Sequence, residues 1–230
     1  MTPMEEKPIK KCEEVKIYDL EMNPAYPFQA TRKEAHRLGM WHKHFDCWIT
    51  RRDIDDDYVI FQLRSDKKAS FKNCLEVTAS GHIAAKEDVK DGIREVQEEL
   101  GIAIEYNKLR FLGIFRNIMN VKETGKKERE FCYTYAAESE CQLEDFNLQQ
   151  EEVTGIYEAK ISDAMRFFAG DLEKMQMRGR IKKENDYTDD EKIIYHNAME
   201  TTFVPYFGNY YLRVMIALDR FLKGEKYLAI

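Results

Sequence analysis

The sequence predicts a mixed α/β fold in which antiparallel hairpins build a sheet and helices pack on it, the last helix covering one face. Three observations predict it. Hydrophobic periodicity switches between the two-residue repeat of strands and the 3.6-residue repeat of helices several times along the chain. Two pairs of strand-like segments each flank a polar turn, and the C-terminal tail carries an apolar stripe at helical spacing. With 230 residues, 43% of them hydrophobic and including 13 Phe and 13 Tyr, the chain can bury the core of one elaborated domain. We divide it into an N-terminal extension, residues 1–34, and a domain over residues 35–230 that includes the C-terminal helical extension.

The elements follow in order. "EEVKIYDLE" alternates weakly and reads as a strand. "ATRKEAHRLG" holds a capping box, Thr31 with Glu34 three residues on, and a terminating Gly39, so it reads as a short helix. "MWHKHFDCWIT" and "YVIFQLRS" form one hairpin around "RRDIDDD", and "KLRFLGIFRNIM" and "REFCYTYAAE" a second around "NVKETGKKE". "VTGIYEAKI" is a further strand. "SDAMRFFAGDLEKM" reads as a helix opened by Ser162 or Asp163, and "MQMRGRIKKENDYTDDE" as a charged, mobile connection. In "NYYLRVMIALDRFLKG", Leu212, Met215, Leu218 and Leu222 share one helical face and Gly224 ends the helix.

Composition narrows the function classes. A net charge of -6 and a pI near 5.6 argue against a nucleic-acid backbone as partner, because that binding rests on clustered Lys and Arg. The five cysteines, Cys12, Cys47, Cys74, Cys132 and Cys141, are odd in number and widely spaced, which fits a reducing compartment and no structural zinc. "MTPMEEKPIKKCEE" lacks the apolar core of a signal peptide, and no apolar run approaches the ~20 residues of a membrane span. These features lead us to expect a cytoplasmic protein whose partner is a small molecule, neither nucleic acid nor membrane, with a homodimer compatible with the sequence.

The segment Gly81–Ile102, "GHIAAKEDVKDGIREVQEELGI", crowds three glutamates around one arginine. On a helix starting near Asp88, Val89, Ile93, Val96 and Leu100 fall on one face, while Glu95 and Glu99 stack with Glu98 beside them, away from the core. Like charges four apart cost roughly 0.2–0.5 kcal/mol. Either Arg94 and nearby lysines neutralise an ordinary solvated face, or a hard divalent ion does.

The order of residue types across this segment resembles the Nudix box: a Gly, five residues, a Glu, seven residues, then Arg-Glu, an aliphatic, any residue, Glu-Glu, any residue, Gly and an aliphatic. Gly81, Glu87, Arg94, Glu95, Val96, Glu98, Glu99, Gly101 and Ile102 take the fixed positions. One residue is missing, since only Asp88 to Ile93 separate Glu87 from Arg94. The deletion leaves the "REVQEELGI" block intact and puts only the place of Glu87 in question. The resemblance implies a Nudix-type α/β/α sandwich around a mixed β-sheet, and hydrolysis of a diphosphate linkage with Mg²⁺ or Mn²⁺. It implies Glu95, Glu98 and Glu99 as metal ligands and Arg94 as the residue that orients them. The general base would be a box glutamate or one of Glu130, Glu151 and Glu152. For the diphosphate we nominate Arg64, Lys67 and Lys68; solvation of an exposed "RSDKK" is the plain alternative.

"HRLGMWHKHFDCWI", "LRSDKKASFKN", "ASGHI" and "EREFCYTYAA" extend the similarity to the branch that resembles isopentenyl-diphosphate isomerase and its hydrolase relatives, over about Ala35 to Lys160. That likeness implies a second metal site from His42, His82, Glu128 and Glu130. Two departures argue against isomerisation. Ser80 stands where the isomerase pattern has a catalytic Cys, and a hydroxyl is a poor substitute for a thiol in protonating an alkene. Thr201, ahead of "FVPYF", stands where an aromatic ring would face the carbocation. We therefore expect a Nudix hydrolase, with an isomerase-like enzyme and a ligand sensor of the same fold, signalling through an interface such as "RGRIKKE", as alternatives.

Overall fold

The computed structural model describes residues 13–183 and 186–230. Cys12 and the start of the N-terminal extension lie outside the described residues, as do Glu184 and Asn185 within "RGRIKKENDY". The strands and helices run β1 (Glu14–Tyr18), β2 (Pro24–Thr31), α1 (Arg32–Leu38), β3 (His42–Arg52), β4 (Asp57–Arg64), β5 (Leu75–Glu76), β6 (Ala79–His82) and α2 (Arg94–Leu100). They continue with β7 (Arg110–Val121), β8 (Lys126–Glu138), β9 (Val153–Lys160), α3 (Ile161–Ala169), β10 (Lys174–Lys183), β11 (Asp186–Tyr195), α4 (Met199–Thr202) and α5 (Tyr210–Leu222).

One large mixed sheet organises the chain, in the order β11-β10-β9-β4-β3-β8-β7, with β5 on β4 and β6 on β3. The expected hairpins β3–β4 and β7–β8 are antiparallel, whereas β3 and β8 run parallel, His42 beside Glu130. Alternation along β3 divides the core between the two faces of the sheet. Phe45, Cys47 and Ile49 pack with Val96 and Leu100 of α2, while Trp48 packs on the opposite face with Val214 and Met215 of α5 and Phe167 of α3. The result is the α/β/α sandwich. Along one edge, β3 pairs first with β6 and then with β4, and Thr78 stitches the parting: its hydroxyl accepts the Ile49 N–H at 3.0 Å and donates to the Ile60 carbonyl.

Local chemistry sets the helix ends. The Thr31 hydroxyl accepts the Glu34 N–H at 3.3 Å, and Gly39 closes α1 in the left-handed region at φ 71°. Five residues before α2, Val89–Ile93, are wound as a 3₁₀ helix. That winding rises about 2.0 Å per residue against about 1.5 Å in an α-helix, so the missing box residue is partly made up in length.

Two sequence expectations are corrected, and one strand is added to them. The charged connection is the β10–β11 hairpin: Met175 and Met177 bury in alternation, while Arg178 faces Glu191 and Arg180 faces Asp189 across the strands. Cross-strand charge pairs stabilise such a ribbon, and abundant charge hid its two-residue period. Helix α3 begins at Ile161, running straight out of β9, and ends at Ala169 before Gly170, short of Asp171–Met175. Strand β2, with Pro24 and Pro27, was not anticipated; it pairs only with β1 in a separate two-stranded sheet, where prolines are tolerated.

Candidate active site

Helix α2 and strand β6 bring the box together. Gly101 leaves α2 at φ 72°, a left-handed stop that turns the chain back over the helix. Glu95 and Glu99 are turned against β6 rather than to solvent. The Glu99 carboxylate accepts the Ser80 N–H at 3.1 Å, and the Glu95 carboxyl lies against Gly81, where any side chain would collide with it. Only Glu98 is largely open, its side chain 54% exposed. Burial pushes Glu95 above its ordinary pKa and Glu99 up to about 8, even though Lys68 and the Ser80 N–H pull Glu99 down. A buried carboxylate with so little compensation is a site that gains from a cation.

Arg94 is the hub of the box. Its Nε donates to Glu87 Oε1 at 2.9 Å and Nη2 to Glu87 Oε2 at 3.2 Å, while Nη1 donates to Glu95 and, at 3.2 Å, to Glu98. Nη2 also donates to the His82 carbonyl at 3.1 Å, fastening α2 to β6. Glu87 accepts the Ala84 N–H as well, and its pKa falls below the usual range because these bonds outweigh its burial. The shortened box therefore still brings Glu87 onto Arg94.

Beside the glutamates lies a buried histidine cluster. His36, His42, His82 and Glu130 each offer a donor atom, all within 4.8 Å of one another. The His42 Nδ1–H donates to the Met40 carbonyl at 2.8 Å, because a carbonyl only accepts, and this fixes the ring with Nε2 turned inward. That Nε2 has no hydrogen-bond partner and stands 3.7 Å from Glu130 Oε1, where a cation between the two would satisfy both. His82 Nε2 sits 3.0 Å from His36 Nε2 and 3.3 Å from Glu130 Oε1. Burial holds His36 down to about 3 and His82 well below its ordinary value. Glu130 is held well below the carboxylate range, because the His44 charge and the histidines around the carboxylate, His82 nearest at 3.3 Å, override its burial. Three imidazoles around one carboxylate fit a borderline transition ion.

Glu128, two residues earlier on β8, lines the same cavity but stands outside this foursome, and burial beside Glu130 pushes it up to about 7. Two features had no sequence signal strong enough to find them. His36 reaches the cluster from α1, and a lone histidine on a short helix reads as ordinary core. His44 also lines the cavity and its Nδ1 bonds Asp46 Oδ1 at 3.0 Å; Asp46 in turn accepts the Tyr210 hydroxyl at 3.2 Å. Against its burial, Glu130 and Asp46 raise His44 to about 9. The period-two spacing of His42 and His44 was the available clue.

A cavity of about 600 Å³ opens over both groups. The nominated basic residues line it, each already engaged. Arg64 bonds the Glu76 carboxylate and, at 3.1 Å each, the Phe71 and Ser70 carbonyls, so it shapes the loop between β4 and β5. Lys67 stands 3.6 Å from Glu151, and Lys68 pairs with Glu152. Thr201 lies exposed on α4 and is not part of the lining, where Tyr206 stands instead.

A glutamate-bearing loop–helix–loop over a mixed sheet, an arginine tying its carboxylates, and a polar cavity above define the class. No family model matches the chain. An uncharacterized Nudix hydrolase of Clostridium acetobutylicum is 34% identical over 190 residues, covering 82% of this chain and 89% of that protein. Nudix hydrolase 3 of Arabidopsis thaliana is 29% identical over 128 residues, 54% of this chain and only 16% of the plant protein. The crystal structure of DR0079 from Deinococcus radiodurans superposes with a TM-score of 0.52 at 18% identity, covering 69% of this chain and 90% of that one. The chain belongs to the Nudix hydrolase family. Members of that family generally need a divalent metal, and no helix among the described residues is long and apolar enough to cross a membrane.

Proposed function

We propose that this Nudix hydrolase cleaves the diphosphate linkage of a small organic diphosphate, such as a nucleoside diphosphate joined to another group. The observation that supports it best is that Glu95 and Glu98, tied by Arg94, and Glu99, held by the Ser80 N–H, line one cavity together with Lys67 and Lys68. Mg²⁺ or Mn²⁺ held by the three glutamates would neutralise phosphate charge and acidify a bound water. Arg94 keeps Glu95 and Glu98 oriented and stays off the substrate. Lys67, Lys68 and the rim of Arg64 receive the diphosphate oxygens. Glu130 is occupied by its histidines and by the Asn117 amide at 2.9 Å, which leaves Glu152, with Glu151 behind it, as the stronger candidate for general base.

The histidine cluster favours a second reading, the isomerase-like branch, with His36, His42, His82 and Glu130 holding a softer ion. Because Tyr206 puts a ring into the cavity, the argument from Thr201 falls away and Ser80 alone separates the two. Ser80 meets the box through its backbone N–H, which suits a residue kept small for close packing. A phosphate-release assay over a panel of organic diphosphates, with Mg²⁺ and with Mn²⁺, tests the hydrolase. Interconversion of allylic diphosphates without phosphate release would replace it with the isomerase, and binding without turnover would replace it with a sensor.

A further inference from the structure

Lys68 lines the cavity, and a carboxylate of the same chain already holds it. The ammonium pairs with Glu152 and lines the same cavity as the box glutamates, where its charge also opposes the burial of Glu99. The pair is built rather than incidental. The Ser65 N–H donates to the Glu152 carbonyl at 2.9 Å, clasping the loop that carries Lys68 to the loop that carries Glu152. Arg64 braces the first loop through the Ser70 and Phe71 carbonyls. The neighbouring pair, Lys67 with Glu151, is different in kind: at 3.6 Å and with side chains 54% and 67% exposed it is a solvated contact of little consequence. Lys68 and Glu152 are 22% and 34% exposed, shielded enough for their attraction to compete with a ligand.

We propose that Glu152 is an internal competitor for the place of the substrate's diphosphate on Lys68. Arrival of the diphosphate exchanges one anion for another on the ammonium and frees the Glu152 carboxylate inside the cavity. Glu152 thereby sets affinity for the diphosphate, and the carboxylate named above as candidate base is released only when one is bound. The inference rests on the diphosphate reading above.

A double-mutant cycle tests it, with binding of methylenediphosphonate, a diphosphate mimic that cannot be hydrolysed, measured by calorimetry at fixed Mg²⁺. Glu152→Gln should tighten binding by roughly three- to fivefold, the range of such ion pairs, and Lys68→Met should weaken it. In the Lys68→Met background Glu152→Gln should have no further effect, and Glu151→Gln, which removes the same charge from the outer pair, should change binding far less than Glu152→Gln. Tightening by Glu152→Gln that persists without Lys68, or that Glu151→Gln matches, is a general charge effect and overturns the competition. Failure of the wild-type protein to bind the diphosphonate at all overturns the diphosphate reading together with it, whereas binding without coupling removes only the competition.

Discussion

The Glu95 carboxyl group fills the space that a side chain at position 81 would need: a Cβ built on Gly81 lies 2.1 Å from Glu95 Cδ and Oε1. The glycine before His82 is thus a requirement of close approach between β6 and α2. Gly81→Ala should force Glu95 out of the box, costing about a hundredfold in turnover, as misplacement of a catalytic group does. The atoms that must move are the end of a flexible side chain, so the fold should lose about 1 kcal/mol or less, under the usual cost of core overpacking. Adding Glu95→Asp, which shortens the colliding side chain, should relieve that cost without restoring activity. A fully active Gly81→Ala enzyme would show that Glu95 does not work from this position.

Glu98 and Glu87 should separate function from stability. Glu98 is open and among the described residues its side chain bonds Arg94 alone, at 3.2 Å, whereas Glu87 takes two bonds from Arg94 and one from the Ala84 N–H. Glu98→Gln should abolish phosphate release and leave the metal-free stability within about 0.5 kcal/mol. Glu87→Gln should cost about 1–3 kcal/mol by leaving charge-assisted bonds unmet. Thermal melts with chelator, beside assays over a range of Mg²⁺ and Mn²⁺, report both. Full activity of Glu98→Gln at every metal concentration removes the box glutamates as the working site.

The contrast explains what the sequence made legible. The box, its caps and the two hairpins are local: period, capping residues and turns lie within a few positions, and Thr31, Gly39 and Gly101 do what their types dictate. The β10–β11 hairpin was hidden because its exposed face is almost wholly charged, although Met175, Met177 and Ile181 keep the strand period. The histidine cluster was only partly legible. His42, His82 and Glu130 came from the family resemblance, but His36 meets them only through the packing of α1 against β8, and Asp46 behind His44 depends on Tyr210 arriving from α5. Long-range packing leaves no short-range mark.

The histidine cluster makes a prediction about metal content. His36 Nδ1 and His42 Nε2 are buried without partners, and three imidazoles with one carboxylate prefer a softer ion than the box does. Protein purified without chelator should carry a transition ion that mass spectrometry detects, and His36→Ala and His82→Ala should each lose it while Glu98→Gln keeps it. On the hydrolase reading His82→Ala should cost much less activity than Glu98→Gln. Equal collapse of both, with metal content falling in each, would move the chemistry to the histidines.

Glu99 gives a test in pH. In the metal-free protein burial raises its pKa to about 8, well above the ordinary value of 4.5, so the native state binds a proton that the unfolded chain releases. A raised folded pKa contributes stability that is complete below the unfolded value and is lost as pH rises through the folded one. The wild-type protein with chelator should therefore lose stability from Glu99 between pH values near 5 and near 8. His44 and Glu128, also raised, add losses over overlapping windows, so the wild-type curve alone does not isolate Glu99. Glu99→Gln does: the amide oxygen can still accept the Ser80 N–H, and no charge develops. The melting temperature of Glu99→Gln minus that of wild type, measured in chelator, should be near zero at pH 5 and should grow by several degrees toward pH 8.5, a few kcal/mol being worth that much in a chain of this size. Saturating Mg²⁺ should shrink the difference, because a cation at the box favours the ionised Glu99 in the native state. A difference independent of pH would mean that Glu99 is already ionised and compensated in the metal-free fold, and that the box is not waiting for a cation at this residue.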